Sequence, residues 1–178
     1  MNPDIKVLFY FNGAIAYNFT SYTERFFPRV DEMTEQEKKD LLLVDPETND
    51  YYTIHDGHRY AWDILKPTFR SWWSDTVGHA VRVTGTDGVF WDQMHGWKWM
   101  RPDKQHKVEK AHVLLQRQTT RAMGPGKILL CNNAADTPRF IKHCDAVMYE
   151  HHKPDQYREN LQRYVDDWEQ MRAVANAG

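Results

Sequence analysis

"TDGVFWDQMHGW", residues 86–97, passes from a turn through an apolar run into a polar, aromatic stretch. Val89, Phe90 and Trp91 have the β-branched and aromatic character that fits a pleated, buried surface. Gly88 opens the run and Asp92 closes it, so the strand is short and ends on a carboxylate. Three other stretches share this build: "IKVLFYFN" (5–12), "KILLCNN" (127–133) and "DAVMYE" (145–150). Apolar residues recur with helical spacing over about 67–83, 104–122 and 154–175, and Pro67 suits a first helical turn. "GTDG", "GPGK" and "KHCD" supply the breaks before the later strands. Strands alternating with helices predict an α/β fold with parallel pairing and right-handed crossovers.

Alternate residues of a strand face opposite layers. Placing Asp92 toward the carboxyl end of the sheet puts Phe90 and Gly88 on its side, and the same parity groups Leu8, Tyr10 and Asn12, then Ile128, Leu130 and Asn132, then Ala146, Met148 and Glu150. Each strand is therefore apolar along this face and polar at its tip: Asn12, Asp92, Asn132, Glu150. Barrels of α/β type hold catalytic groups there, and open doubly wound sheets bind ligands there. An acidic residue ending a strand also caps turns, but four polar tips in register point to a site. Asp87, at the amino end beside Gly88, reads as a structural turn residue.

With 178 residues, 41% of them hydrophobic, the chain can bury one core, and a single domain over 1–178 is expected. Lys+Arg 23 against Asp+Glu 25 offers nothing to a phosphate backbone, so nucleic acid is not an expected partner. No apolar run approaches the roughly 18 residues of a membrane span. The opening "MNPDIKVLFYFNG" lacks the pattern of a signal peptide. Cys131 and Cys144 fit neither a disulfide scaffold nor a zinc site, and buried free thiols are expected. Aromatic residues are plentiful, with Trp 7, Tyr 9 and Phe 8; core packing accounts for most of them.

Between Phe19 and Pro67 lies a long connection with one short helix at 34–43, read as an ordered βα loop over the site. The loop after Asp92 carries His95, Trp97 and Trp99, aromatic residues beside the expected site. His55, Asp56 and His58, and the pair His151 and His152, lack the i, i+4 spacing of a zinc helix and read as solvated loop residues. "NFT" (18–20) has the form of a glycosylation sequon. No metal or cofactor is expected. The last helix is read as an amphipathic outer helix with Tyr157, Leu161, Tyr164, Val165 and Trp168 inward.

"GTDGVFWDQMHGW", "GKILLCNNAA" and "CDAVMYEHH" resemble, in this order, the central strands of glycoside hydrolases with amylase-like (β/α) barrels. "ILKPTFRSWWSDTVGHAVRVTGTDG" resembles the helix before the first of them, and the likeness covers residues 5–152. The resemblance implies a partial TIM (β/α) barrel that hydrolyses an oligo- or polysaccharide without a cofactor. Asp92 matches the catalytic aspartate and Glu150 the glutamate two strands on. Asn12 and Asn132 match substrate-touching tips, and Tyr10, His95, Trp97 and His151 join them as candidate substrate contacts. The neighbours of each carboxyl assign Asp92 as nucleophile or charge stabiliser. Glu150, after Ala146 and Met148 on an apolar inward face, is assigned as acid/base.

A full barrel has eight strands in typically about 250 residues, and four are readable here. A barrel fragment, a barrel completed by another chain, or a compact open sheet all fit. A non-catalytic carbohydrate-binding or interaction fragment is the alternative function. A flavodoxin-like sheet fits the length but lacks a Gly-rich phosphate turn in "FNGAIAYNFTS". Four βα units leave two open sheet edges, so the isolated chain is expected to self-associate or to need a missing segment. A monomer by analytical ultracentrifugation at micromolar concentration, melting cooperatively, would contradict this.

Overall fold

The computed structural model describes residues 4–16, 25–54, 59–94, 96–134, 137–150 and 161–177. In chain order the strands are β1 (Leu8–Asn12), β2 (Ile15–Ala16), β3 (Thr53–Ile54), β4 (Arg59–Ala61), β5 (Gly88–Asp92), β6 (Ile128–Asn132) and β7 (Ala146–Met148). The α-helices are α1 (Glu35–Leu41), α2 (Pro67–Thr84), α3 (Trp97–Met100), α4 (Gln105–Met123), α5 (Pro138–Ile141) and α6 (Leu161–Ala177). The main sheet runs β1-β5-β6-β7, parallel at every pairing.

Sequential order settles the winding. A doubly wound sheet reverses its strand order at a switch point and covers both faces with helices; among the described residues neither occurs. Phe9, Phe11, Val89, Trp91, Leu129 and Cys131 form a buried face against Phe69, Trp73 and Val77 of α2 and Val108 and Leu115 of α4. On the opposite face Leu8, Tyr10, Phe90, Ile128 and Leu130 are only half-buried, and Ala146 and Met148 are exposed. The four strands form one arc wound in one sense. The flavodoxin-like alternative is thereby excluded, and β1 and β7 are the edges of the arc.

Helix boundaries follow local chemistry. Pro67 occupies the first turn of α2, and Gly85 closes it in the left-handed region at φ 68°. Midway along α2, Gly78 permits close approach to α4, because a Cβ there would meet the Ala122 carbonyl oxygen at 2.5 Å. The expected helix of the long connection is α1, started by a capping box between Thr34 and Glu37. This connection also holds strands that its polar, aromatic sequence did not announce. Together with β2, which precedes the connection, they form an antiparallel sheet, β2-β4-β3, whose side chains Ile15 and Ala61 pack with Leu43 and Met100.

Two aspartates fix the start of the arc in the same way. Asp87 donates its N–H to Val7 O at 2.7 Å and accepts the Val7 N–H on Oδ2 at 2.9 Å. Two βα units later, Asp145 donates to Leu129 O at 3.0 Å and accepts Leu129 N–H on Oδ2 at 2.8 Å. Each captures both peptide groups of one residue, Val7 just before β1 or Leu129 in β6, on the neighbouring segment of the main sheet. Asp87 is thus the structural residue its position suggests.

Two expectations need correction. Cys131 and Cys144 are not free thiols but form a disulfide; apolar neighbours bury a cystine as readily as a thiol, so composition alone could not choose. The apolar side of α6 does not face inward: Leu161, Tyr164, Val165 and Trp168 are 75%, 41%, 43% and 55% exposed. The buried residue of this helix is Asp167, which accepts a hydrogen bond from the Tyr149 hydroxyl. Tyr157 lies outside the described residues.

At the centre of the helix-facing layer His112 stacks between Trp91 at 4.9 Å and Phe140 at 4.3 Å. Burial, with a smaller push from Lys98, lowers its pKa to about 3. The unfolded chain, with histidine near 6.5, binds the extra proton. Stability is therefore complete above about pH 6.5 and is lost as pH falls toward 3, by up to about 1.4 kcal/mol per pH unit. In urea melts between pH 6.5 and 4, His112→Phe is expected to lose roughly 3 kcal/mol less than wild type. Cys144→Ser, which opens a short disulfide loop, should cost on the order of 3 kcal/mol, and the native chain should take up no alkylating reagent by intact mass.

Candidate active site

Parallel register brings the predicted tips together. Leu8, Gly88 and Ile128 are neighbours across the arc, as are Tyr10, Phe90, Leu130 and Ala146. Asn12 is level with Asp92, and Asn132 with Met148, so Glu150 lies two residues past the last paired position of β7.

Among the described residues, four donors hold Asp92, two on each oxygen. Tyr10 Oη donates to Oδ2 at 2.6 Å and Asn12 Nδ2 to the same oxygen at 3.3 Å. Asn132 Nδ2 and the Gln93 backbone N–H each donate to Oδ1 at 2.7 Å. Asn132 Nδ2 also donates to Glu150 Oε2 at 2.7 Å. One amide nitrogen thus joins the two carboxyl groups, and the two acceptor oxygens are at most 5.4 Å apart, twice 2.7 Å. The amide orientation follows from chemistry, since its oxygen turned toward two carboxylates would meet only acceptors. Asn132 is 1% exposed, and its Oδ1 is buried with no hydrogen-bond partner among the described residues.

The other expected residues divide. Asn12 does not offer its amide freely to a ligand: Oδ1 accepts from Ala14 N–H at 3.0 Å and Ile15 N–H at 2.7 Å, starting β2, while Nδ2 reaches Asp92. Tyr10 contacts Asp92 directly. His95 and His151 lie outside the described residues, as does the side chain of Trp97, whose backbone opens α3. His55, Asp56, His58, His152 and the sequon at 18–20 also lie outside them. Among the described residues no three His, Cys, Asp or Glu side chains are grouped to hold a metal, and no helix is long and apolar enough to cross a membrane. The apolar enclosure expected around Glu150 is not present, because Ala146, Met148 and Glu150 itself are exposed. β7 is an edge strand, with no neighbour beyond it among the described residues to cover that face.

Two participants were not foreseen. Gln93 and Asn133 each follow a site residue and adopt left-handed backbone, at φ 60° and 56°. Non-glycine residues in this region are uncommon and collect at functional sites. The doublet Asn132-Asn133 carried a readable signal, since asparagine tolerates that conformation; glutamine at 93 carried none.

The family model described as hypothetical glycosyl hydrolase family 15 matches residues 1–178. The chain belongs to this family. No curated protein matches it. Among solved structures, the family member is similar to Ega3 of Aspergillus fumigatus, a crystal structure in complex with galactosamine, with a TM-score of 0.54 and 20% identity. The likeness covers 92% of this chain and 57% of Ega3. At this identity it concerns the fold, and the chain spans little more than half the length of that relative.

If Asn132 bridges two carboxyl groups, a third acid in its place is worse than an empty space. Asn132→Ala should destabilise by about 1–3 kcal/mol. Asn132→Asp should cost more at neutral pH, with urea melts of the two variants giving the comparison.

Proposed function

We propose that this chain carries the catalytic pair of a retaining glycoside hydrolase acting on an oligo- or polysaccharide, on an arc belonging to an amylase-like (β/α) barrel. The observation that supports this most is the Asn132 amide shared between Asp92 and Glu150, with acceptor oxygens no more than 5.4 Å apart. Carboxyl groups about 5–5.5 Å apart suit a nucleophile and an acid/base on one glycosidic bond, whereas inversion needs about 6.5–9.5 Å to admit water.

The hydrogen bonds favour one assignment of roles. Both oxygens of Asp92 are occupied by donors, and a protonated Asp92 would have to turn one of them away. Glu150 Oε1 accepts no hydrogen bond among the described residues and is the atom that can carry a proton. In the first step Asp92 Oδ2, whose bond to Asn12 is the longest of the four at 3.3 Å, bonds to the anomeric carbon. The glycosidic C–O bond breaks, and the leaving oxygen takes the Glu150 proton. In the second step Glu150 removes a proton from water, whose oxygen displaces Asp92 from the anomeric carbon. Tyr10 and Asn132 hold Asp92 throughout.

Ega3 is crystallised with an amino sugar, and two adjacent carboxyl groups suit a cationic hexosamine, so oligomers of galactosamine belong in the first substrate panel. A carbohydrate-binding fragment without turnover is the second reading, favoured by the half-exposed inner face at Leu8, Phe90 and Leu130.

An activated aryl glycoside, whose leaving group needs little protonation, separates the roles. Glu150→Ala should keep the first step and recover turnover with azide; Asp92→Ala should lose the first step. The reverse pattern would exchange the roles. Full activity in both variants would place the chemistry elsewhere, and binding without turnover in the wild type would favour the second reading.

A further inference from the structure

Glu150 lies beyond the last pairing of β7, which joins Met148 to Asn132. Asn133 continues the ladder by other means. In a parallel pair, a residue donates its N–H to one residue of the neighbouring strand and accepts, on its carbonyl, the N–H of the residue two further along. Asn133 donates its N–H to Met148 O at 2.8 Å. The Glu150 N–H then goes to the Asn133 side-chain Oδ1, at 3.1 Å, in place of a backbone carbonyl. The left-handed backbone at 133 turns the chain out of β6, and the side-chain amide supplies the missing acceptor. The same amide aims its Nδ2 at Glu150 Oε2, at 3.4 Å, beside the 2.7 Å bond from Asn132. Among the described residues, these two asparagines provide every hydrogen bond to Glu150, and Asn133 is itself only 8% exposed.

We propose that Asn133 is a positioning residue: its side chain stands in for the strand backbone to hold Glu150 at fixed distance from Asp92. This rests on the glycosidase reading for its effect on turnover, but not for the hold itself. An exposed glutamate on an edge strand, past its ladder, otherwise has many conformations, and displacement by about 1 Å is enough to harm proton transfer.

Asn133→Gly is the decisive variant, because glycine accepts the left-handed backbone without strain while removing both side-chain contacts. The variant should therefore stay folded, with a melting temperature close to wild type. Amide exchange followed by NMR should show the Glu150 N–H exchanging about tenfold faster or more. On an unactivated oligosaccharide kcat should fall by about tenfold or more with KM little changed, and by less on an aryl glycoside that needs no proton. Asn133→Asp restores the acceptor but not the donor, so exchange protection should return while kcat stays low. Unchanged Glu150 exchange in Asn133→Gly would overturn the proposal, and so would faster exchange with undiminished kcat. If the wild type turns over no glycoside, the glycosidase reading fails, and the exchange rate still decides whether Asn133 holds Glu150.

Discussion

Register between parallel strands is the constraint on which the candidate site depends. Side chains alternate with a period of two, so a slip of one residue would carry Asp92 to the helix-facing side and Trp91 to the open side. Asp87 and Asp145 oppose such a slip at the amino ends of β5 and β7, each taking both peptide groups of a residue in or just before the neighbouring strand. The residues that fix alignment thus lie at one end of the arc, and the residues that profit from it at the other. A barrel-type strand separates stability and chemistry in this way.

The two faces of the arc differ in what they require. The helix-facing layer is a closed aromatic core, where Trp91 contacts both Trp73 and His112. Truncating such a side chain costs about 3–5 kcal/mol. The inner face is lined by half-buried residues and ends in the polar tips. Asn12 joins this face to the small antiparallel sheet, since a single side chain starts β2 with its oxygen and steadies Asp92 with its nitrogen. The loop sheet and the carboxylate are therefore mechanically linked, which ties the long connection to the site although, among the described residues, none of its own side chains hydrogen-bonds the pair.

Much of this was legible in the sequence, for identifiable reasons. Short apolar runs closed by polar residues, separated by helical spacing, gave the four main strands, and parity along them placed Tyr10, Asn12, Asp92, Asn132 and Glu150 on one side. The strands of the small antiparallel sheet escaped because they are two or three residues long, too short for any periodicity to show. The disulfide escaped because two cysteines thirteen residues apart look the same paired or free. The outward turn of the apolar residues of α6 escaped because amphipathic spacing tells which residues share a face, not what lies opposite that face. The role of Asn133 lies in a backbone angle, and only the asparagine doublet hinted at it.

The left-handed residues after β5 and β6 also differ in how free evolution is to change them. At Gln93 the bond to the site comes from the backbone N–H, and among the described residues the side chain makes no hydrogen bond. Glycine there would keep the contact to Asp92 and relieve a conformation costing on the order of 1 kcal/mol. At Asn133 the same relief is open to the backbone, but the side chain carries the ladder forward. Two positions with nearly the same dihedral angle thus differ in kind. One is a reserve of stability that the fold has left unused, and the other is a place where conformational strain is tied to the hold on Glu150.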